Sequence, residues 1–362
     1  MENTGWAAPL GLQQAIHAAL GGVGACLRIL REGEETRMRA SGFMFRMFLS
    51  PWLLLAPCAA ALAAGQPAVQ EAPAQLKVIA SIKPVHSLVS GVMEGTGSPV
   101  LLVTGAASEH DYALLPSQAK ALATADLIFW VGPQLEVFLK RPLAQIGERG
   151  RGVELARSPG IVLLPVSDHE AHSDHSHSDH ESDSGDDMHV WLDPANAAAM
   201  VQEIARHLQS HDPRNAAVYA SNASALQVRI TALQNQIQQQ LSRLQIPPYI
   251  VFHNAYQYFE TRFGLKPVAA ITLAPEHPPG AARIRFLRKQ MAEAGVRCVF
   301  MEPQYPSSIV HSLTEGMPAR TAVLDPLGAS IPDGGELYFS LMTRLAATYT
   351  DCAGIQESQG DP

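Results

Sequence analysis

Residues 212–248 read DPRNAAVYASNASALQVRITALQNQIQQQLSRLQIPP and organise the chain around them. Asp212-Pro213 is a helix start. An aspartate accepts bonds from the free N–H groups of a first turn, and proline fits the first helical position. Leu226, Ile230, Leu233, Ile237, Leu241 and Leu244 then recur at steps of four, three, four, four and three. That is one apolar face at helical period. Pro247-Pro248 ends the pattern. From Pro213 to Arg243 such a helix is about 46 Å long at 1.5 Å per residue, enough to run the length of two small domains as a stiff strut. A second Asp-Pro pair, Asp193-Pro194, opens the helix before it.

Outward from this segment, short β-branched runs alternate with helical patterns. The expected strands are 77–82, 99–104, 127–131 and 161–166 on one side, and 249–252, 267–272, 298–301 and 321–324 on the other. Alternation of strand and helix predicts an α/β fold with mainly parallel sheets, and there are two groups of it. The expected division is an N-terminal α/β part over 76–211, the linking helix over 212–246 and a C-terminal α/β part over 247–362.

The 362 residues are 47% hydrophobic and 17% charged, so there is chain enough to bury a core. The net charge of -8 speaks against a nucleic-acid binder with a basic face. Residues 45–65 read FRMFLSPWLLLAPCAAALAAG. A basic start at Arg46, an apolar run over 47–62 and a small-x-small site at Ala61-Leu62-Ala63 make up a secretory signal peptide. The run is short for a membrane span and is broken by Pro51 and Pro57. Translation from Met38 would put the signal over 38–63, make 1–37 a mis-called extension and leave 64–75 as a linker. Pro57 before Cys58 argues against a lipid-attachment site. Cleavage would leave Cys298 and Cys352 in an oxidising compartment, where a disulfide is the expectation and two buried thiols the alternative.

Residues 167–187 read SDHEAHSDHSHSDHESDSGDD. The five histidines His169, His172, His175, His177 and His180 stand among eight acidic residues with no Lys or Arg. With no large apolar side chain, the segment is expected to be a disordered loop that captures metal weakly at many points. Its charge nearly equals that of the whole mature chain, so the folded remainder is close to neutral.

Three other histidines sit at element ends. His110 follows the strand ending at Thr104, His189 precedes the Asp193-Pro194 helix and His253 ends the strand 249–252. Asp325 ends another strand in the same way. Open α/β sheets place ligands at such ends. Imidazole is a favoured zinc ligand, and three imidazoles plus one oxygen complete a tetrahedron. No compact metal signature such as HExxH or paired CxxC occurs, so the spacing alone leaves each histidine open to a structural role.

The stretches SIKPVHSLV (81–89), GAASEHDY (105–112), ADLIFWVGPQLEVFL (125–139), MHVWLDP (188–194), VFHNAYQYFE (251–260), CVFMEPQ (298–304) and LDPLG (324–328) together resemble the metal-specific solute-binding family. Within it they resemble the periplasmic zinc-binding proteins of bacterial ABC-type importers. The likeness runs from about Lys77 to Cys352, and the acidic histidine tract falls where zinc members carry one. It implies two similar α/β lobes, each a mainly parallel sheet flanked by helices, joined by one long rigid helix, with the metal in the cleft. It implies His110, His189 and His253 as zinc ligands and a disulfide between Cys298 and Cys352. For the fourth position it offers water, Glu109 or Asp325, with Asp325 or water preferred because a residue adjacent to His110 in the chain need not face the same way. It also implies delivery of Zn²⁺ to a membrane permease with its ATPase, by a monomer.

Manganese members resemble the chain at His110, His189 and Asp325 but carry glutamate where His253 stands. A third imidazole suits zinc, and additional carboxylates suit manganese. A zinc hydrolase, with Glu109 as base, is the alternative from another class, and a zinc buffer or adhesin without a transporter is a third. His86 is a candidate accessory ligand. Trp130, Trp191, Tyr256 and Tyr258 are expected to pack around the site, and His207, His211, His277 and His311 to lie on the surface or at caps.

Overall fold

Strands buried on both faces are what a parallel sheet covered by helices requires, and they read as unbroken apolar runs. In the computed structural model, which describes residues 75–146, 152–166, 185–272, 275 and 277–354, two such sheets are present. The first joins β1 (Val78–Ala80), β2 (Val100–Leu101), β3 (Leu127–Trp130) and β4 (Gly152–Glu154) in the order β2-β1-β3-β4. The second joins β7 (Tyr249–His253), β8 (Ala269–Thr272), β9 (Cys298–Met301) and β10 (Arg320–Val323) in the order β10-β9-β7-β8. Every pairing in both sheets is parallel. In each sheet the chain moves outward to one side and then returns to the other, which creates a switch point between β1 and β3 and another between β7 and β9. Crevices at such points receive ligands.

One expected strand is corrected. The run at 161–166 contributes only β5 (Leu164–Pro165), which pairs antiparallel with β6 (Asp186–Asp187) as a separate ribbon. Val162 and Val166 are exposed there. The first sheet takes its fourth strand from β4 instead. Asp186 and Asp187, the last two residues of the expected loop 167–187, belong to the ribbon instead. Its histidines, His169, His172, His175, His177 and His180, lie outside the described residues, as do the extension 1–37 and the signal peptide 38–63.

The organising helix starts three residues later than its signal. Asp212 spends its carboxylate on Asn215 Nδ2 and Tyr219 Oη, and Pro213–Asn215 form a single 3-10 turn. The α-helix proper covers Ala216–Leu241. At 26 residues it is about 39 Å long. Its buried stripe is Tyr219, Ala223, Leu226, Ile230, Leu233, Ile237 and Leu241. Each buried Leu or Ile stabilises by roughly 1.5–3 kcal/mol. The preceding helix, Pro194–His211, is capped as its sequence requires, with the Asp193 side chain accepting from Ala195 N at 2.9 Å.

One apolar cluster runs across the two halves. The long helix packs against Lys83–Val92 from the first half and Leu337–Ala353 from the second. The 337–353 helix and the loop before it reach back onto the first half. Lys83 Nζ donates to Ile331 O at 2.8 Å and pairs with Asp333. Ser87 Oγ accepts from Tyr338 N, and Trp191 Nε1 donates to Pro326 O at 2.9 Å. Cys298 and Cys352 form a disulfide that ties the start of β9 to the end of the last helix. No helix among the described residues is long and apolar enough to cross a membrane.

Candidate metal centre

His253 is the last residue of β7, beside the switch point of the second sheet. Glu302 follows β9, the strand on the other side of that point. From the first half, His189 stands at the entry of a short 3-10 turn, Val190–Leu192, and His110 on the loop after β2. These positions bring ring nitrogens of His110, His189 and His253 within 4.8 Å of one another. The ring centroids are 5.2–5.5 Å apart. His189 and His253 are buried, and His110 is half-buried at the rim. The rings line a cavity of about 200 Å³ with Gln134, Met188 and Asn254.

Two of the imidazoles are fixed by carboxylates. Asp187 Oδ1 lies 2.7 Å from His189 Nδ1 and also accepts from His189 N at 3.0 Å. Glu302 reaches His253 Nδ1 at 2.8 Å. A carboxylate at Nδ1 places the proton there and leaves Nε2 with its lone pair. The two Nε2 atoms then face each other at 3.3 Å. Two lone pairs at that distance repel unless a proton or a cation lies between them. The spacing also equals the edge of a tetrahedron with metal–nitrogen bonds of about 2.0 Å, which is roughly 3.3 Å.

A carboxylate lies beside the group. Glu109 is buried, and its Oε1 lies 3.9 Å from both His110 Nε2 and His189 Nε2. Neither Glu109 Oε1 nor His110 Nε2 takes a hydrogen bond. A buried acceptor left unmade costs about 1–3 kcal/mol, so both atoms point to a missing partner that a cation would supply.

The electrostatics follow from burial and neighbours. Burial, with the imidazoles of His189 and His253, lowers the pKa of His110 to about 2. For His189, burial is the largest influence and acts downward, but Asp187 with Glu109 and Glu302 outweighs it, and the net shift is upward. Burial raises Glu109 and holds Glu302 well above the usual carboxylate range. The pocket thus resists holding two bare carboxylates, and a dication relieves that cost.

Of the expected site residues, His110, His189, His253 and Glu109 converge. Asp325 lies apart. Its carboxylate accepts from the backbone N–H groups of Leu327, Gly328 and Ala329 and from Gln304 Nε2. It lines a different cavity, of about 490 Å³, that holds none of the three histidines. Between the two carboxylate candidates for a fourth ligand, the geometry therefore favours Glu109. His86 bonds Pro99 O through Nε2 and stands outside the cluster. Trp191 and Tyr258 pack as expected, with Trp191 against the His189 ring and Tyr258 Oη donating to Asp187 O. Two residues that matter escaped the sequence reading. Asp187 reads in sequence as part of the acidic loop, and Glu302 lies inside CVFMEPQ with no spacing signal to mark it.

The model of one protein family, ZnuA, described as zinc-uptake complex component A, periplasmic, matches residues 78–352. A high-affinity zinc uptake system protein of Brucella abortus is 39% identical over 303 residues, covering 76% of this chain and 91% of that protein. The corresponding protein of Yersinia pestis is 33% identical over 315 residues, covering 83% and 98%. Among solved structures, a crystal structure of ZnuA superposes with a TM-score of 0.67 at 22% identity, covering 77% of this chain and 100% of that one.

Proposed function

The chain belongs to the ZnuA family of periplasmic zinc-uptake components, and from that premise we propose that it captures Zn²⁺ in the periplasm and hands it to the permease and ATPase of an ABC importer. His110, His189 and His253 are the proposed nitrogen ligands, and Glu109 the proposed oxygen ligand. Asp187 and Glu302 hold His189 and His253 in the tautomer that binds metal. The observation that carries this reading is the 3.3 Å approach of two Nε2 atoms whose Nδ1 partners are both carboxylates. Such a pair is arranged for a cation.

Zinc over manganese is supported by the donor set. Three imidazoles and one carboxylate make a small tetrahedral shell, whereas manganese favours more oxygens at higher coordination. A carrier rather than a hydrolase is supported by Glu109, whose buried, orphaned oxygen beside His110 and His189 would fill the fourth position that a reactive water would need. Export through the signal peptide and a monomeric state belong to the same proposal.

The test is titration of the folded chain with Zn²⁺ against a chelator of known affinity. One tight site, lost in His110→Ala, His189→Ala and His253→Ala, is the expected result. A tight site that survives any of these substitutions would refute the ligand assignment.

A further inference from the structure

His189 and His253 are each gripped by a carboxylate, but His110 is not. It sits on the loop between β2 and Pro116, where Gly105, Ala106 and Asp111 are exposed. A ligand on such a loop needs some other restraint to hold its nitrogen at bonding distance. The restraint visible here runs through the backbone. His110 N donates to Ser108 Oγ at 3.2 Å, and Ser108 Oγ lies 2.9 Å from Tyr305 Oη.

Tyr305 belongs to the second half, in the turn after β9. Its ring is itself fixed. It stacks on Phe252 with centroids 4.9 Å apart and planes 8° from parallel, and meets the His253 ring edge-on at 6.0 Å. Phe252 is buried in the second half's own apolar cluster, against which Tyr305 packs. The hydroxyl is thus a rigid post on the half that carries His253, and it meets the loop that carries Glu109 and His110 two residues from the ligand.

We infer that Tyr305 is a positioning residue that docks the His110 loop onto the second half, and that this contact governs how long zinc stays bound. The inference rests on the metal-binding reading above and deepens it. When the Ser108–Tyr305 bond opens, the loop with Glu109 and His110 is free to lift, while His189 and His253 remain in place. Release of the ion proceeds through that state. Association depends much less on it, because the two gripped imidazoles can receive the ion first.

The test uses the full chain loaded with one Zn²⁺, with release followed by stopped flow into an excess of a chromogenic chelator. Tyr305→Phe keeps the stacked ring and removes only the hydroxyl. It should bind one zinc and release it about two- to tenfold faster, the factor expected for loss of a neutral hydrogen bond, with the association rate changed much less. Ser108→Thr, which keeps a hydroxyl, should release zinc at close to the wild-type rate. Ser108→Ala should release it faster, and adding Tyr305→Phe to that variant should accelerate release much less than it does in the wild type, because the bond between the two is already gone.

A wild-type release rate in Tyr305→Phe, or an equal acceleration by that substitution in the Ser108→Ala background, would overturn the docking role while leaving the zinc site standing. Absence of a tight zinc site in the wild-type chain would instead overturn the reading on which the role depends. Thermal unfolding of the metal-free variants separates a damaged fold from a faster release. An unchanged midpoint in Tyr305→Phe together with fast release supports the inference, and a lowered midpoint with both rates altered counts against it.

Discussion

Replacing Asp187 by asparagine preserves the shape of the side chain and removes its charge. In the wild type one oxygen, Oδ1, receives both the backbone N–H and the Nδ1 of His189, at 3.0 and 2.7 Å, inside a buried pocket. Loss of such a carboxylate behind a ligating imidazole weakens metal binding by about 10–100-fold. That corresponds to roughly 1.4–2.7 kcal/mol. The same carboxylate also stabilises a proton on His189. Burial pushes that histidine's pKa down, and Asp187 with the more distant glutamates more than reverses it, to above the ordinary 6.5. The proton must leave before Nε2 can bind the ion, so zinc affinity in the wild type falls by up to about tenfold per pH unit once the pH is below the raised pKa. In the variant, zinc and proton lose the same support. The zinc deficit should therefore be greatest at pH 7.5 and narrower at pH 6.0, where the wild type is already losing affinity to the proton and the variant is less so. Competition against a chelator of known affinity at both pH values measures this directly. Equal affinity of variant and wild type at pH 7.5, or a deficit that does not narrow on acidification, would refute the role given to Asp187.

The two carboxylate candidates for the fourth ligand separate cleanly. Glu109→Gln should weaken zinc binding about tenfold or more with little change in the unfolding midpoint, whereas Asp325→Ala should retain one tight zinc but lose about 1–3 kcal/mol of stability in denaturant unfolding, since three backbone N–H groups lose their acceptor. Removing the Cys298–Cys352 bond by substituting both with alanine should lower stability by about 4 kcal/mol on the chain-entropy estimate for a separation of 54 residues. The readout is again the denaturant midpoint, and a shift under 1 kcal/mol would contradict it. Deleting residues 168–183 leaves Asp187 and the ribbon it belongs to in the chain, so equilibrium dialysis should still find one tight zinc and fewer weak ones.

How much of this was legible follows from what each feature depends on. The runs at 127–131, 249–252 and 298–301 were readable because a strand covered on both faces is apolar at every position, and β3 and β7 are buried throughout. Gly152–Glu154 offered no such run, since only Val153 is buried, and its place in the sheet is set by pairing with β3. The apolar residues at 161–166 misled for the converse reason: several of them face solvent at the edge of a two-stranded ribbon. Asp212-Pro213 marked the turn before the long helix correctly, but nothing in the pair foretold that Asn215 and Tyr219 would claim the aspartate.

The three histidines were visible because element ends are where an α/β sheet presents ligands. The order of preference between Glu109 and Asp325 was not. It depends on which way a turn aims each side chain, and Asp325 folds its carboxylate back onto the three residues that follow Pro326. An aspartate before a Pro-Leu-Gly turn does this often enough that the motif could have warned of it. Asp187 and Glu302 act through contact with imidazoles 2 and 49 positions away. The second of these contacts exists only because β7 and β9 are neighbours.

X-ray absorption at the zinc edge, on the full chain carrying one equivalent of Zn²⁺, looks most directly at the proposed ligand set. Three imidazole nitrogens and one oxygen at about 2.0–2.2 Å are the expected shell. A shell with fewer than three imidazoles, or one of six oxygens, would contradict it.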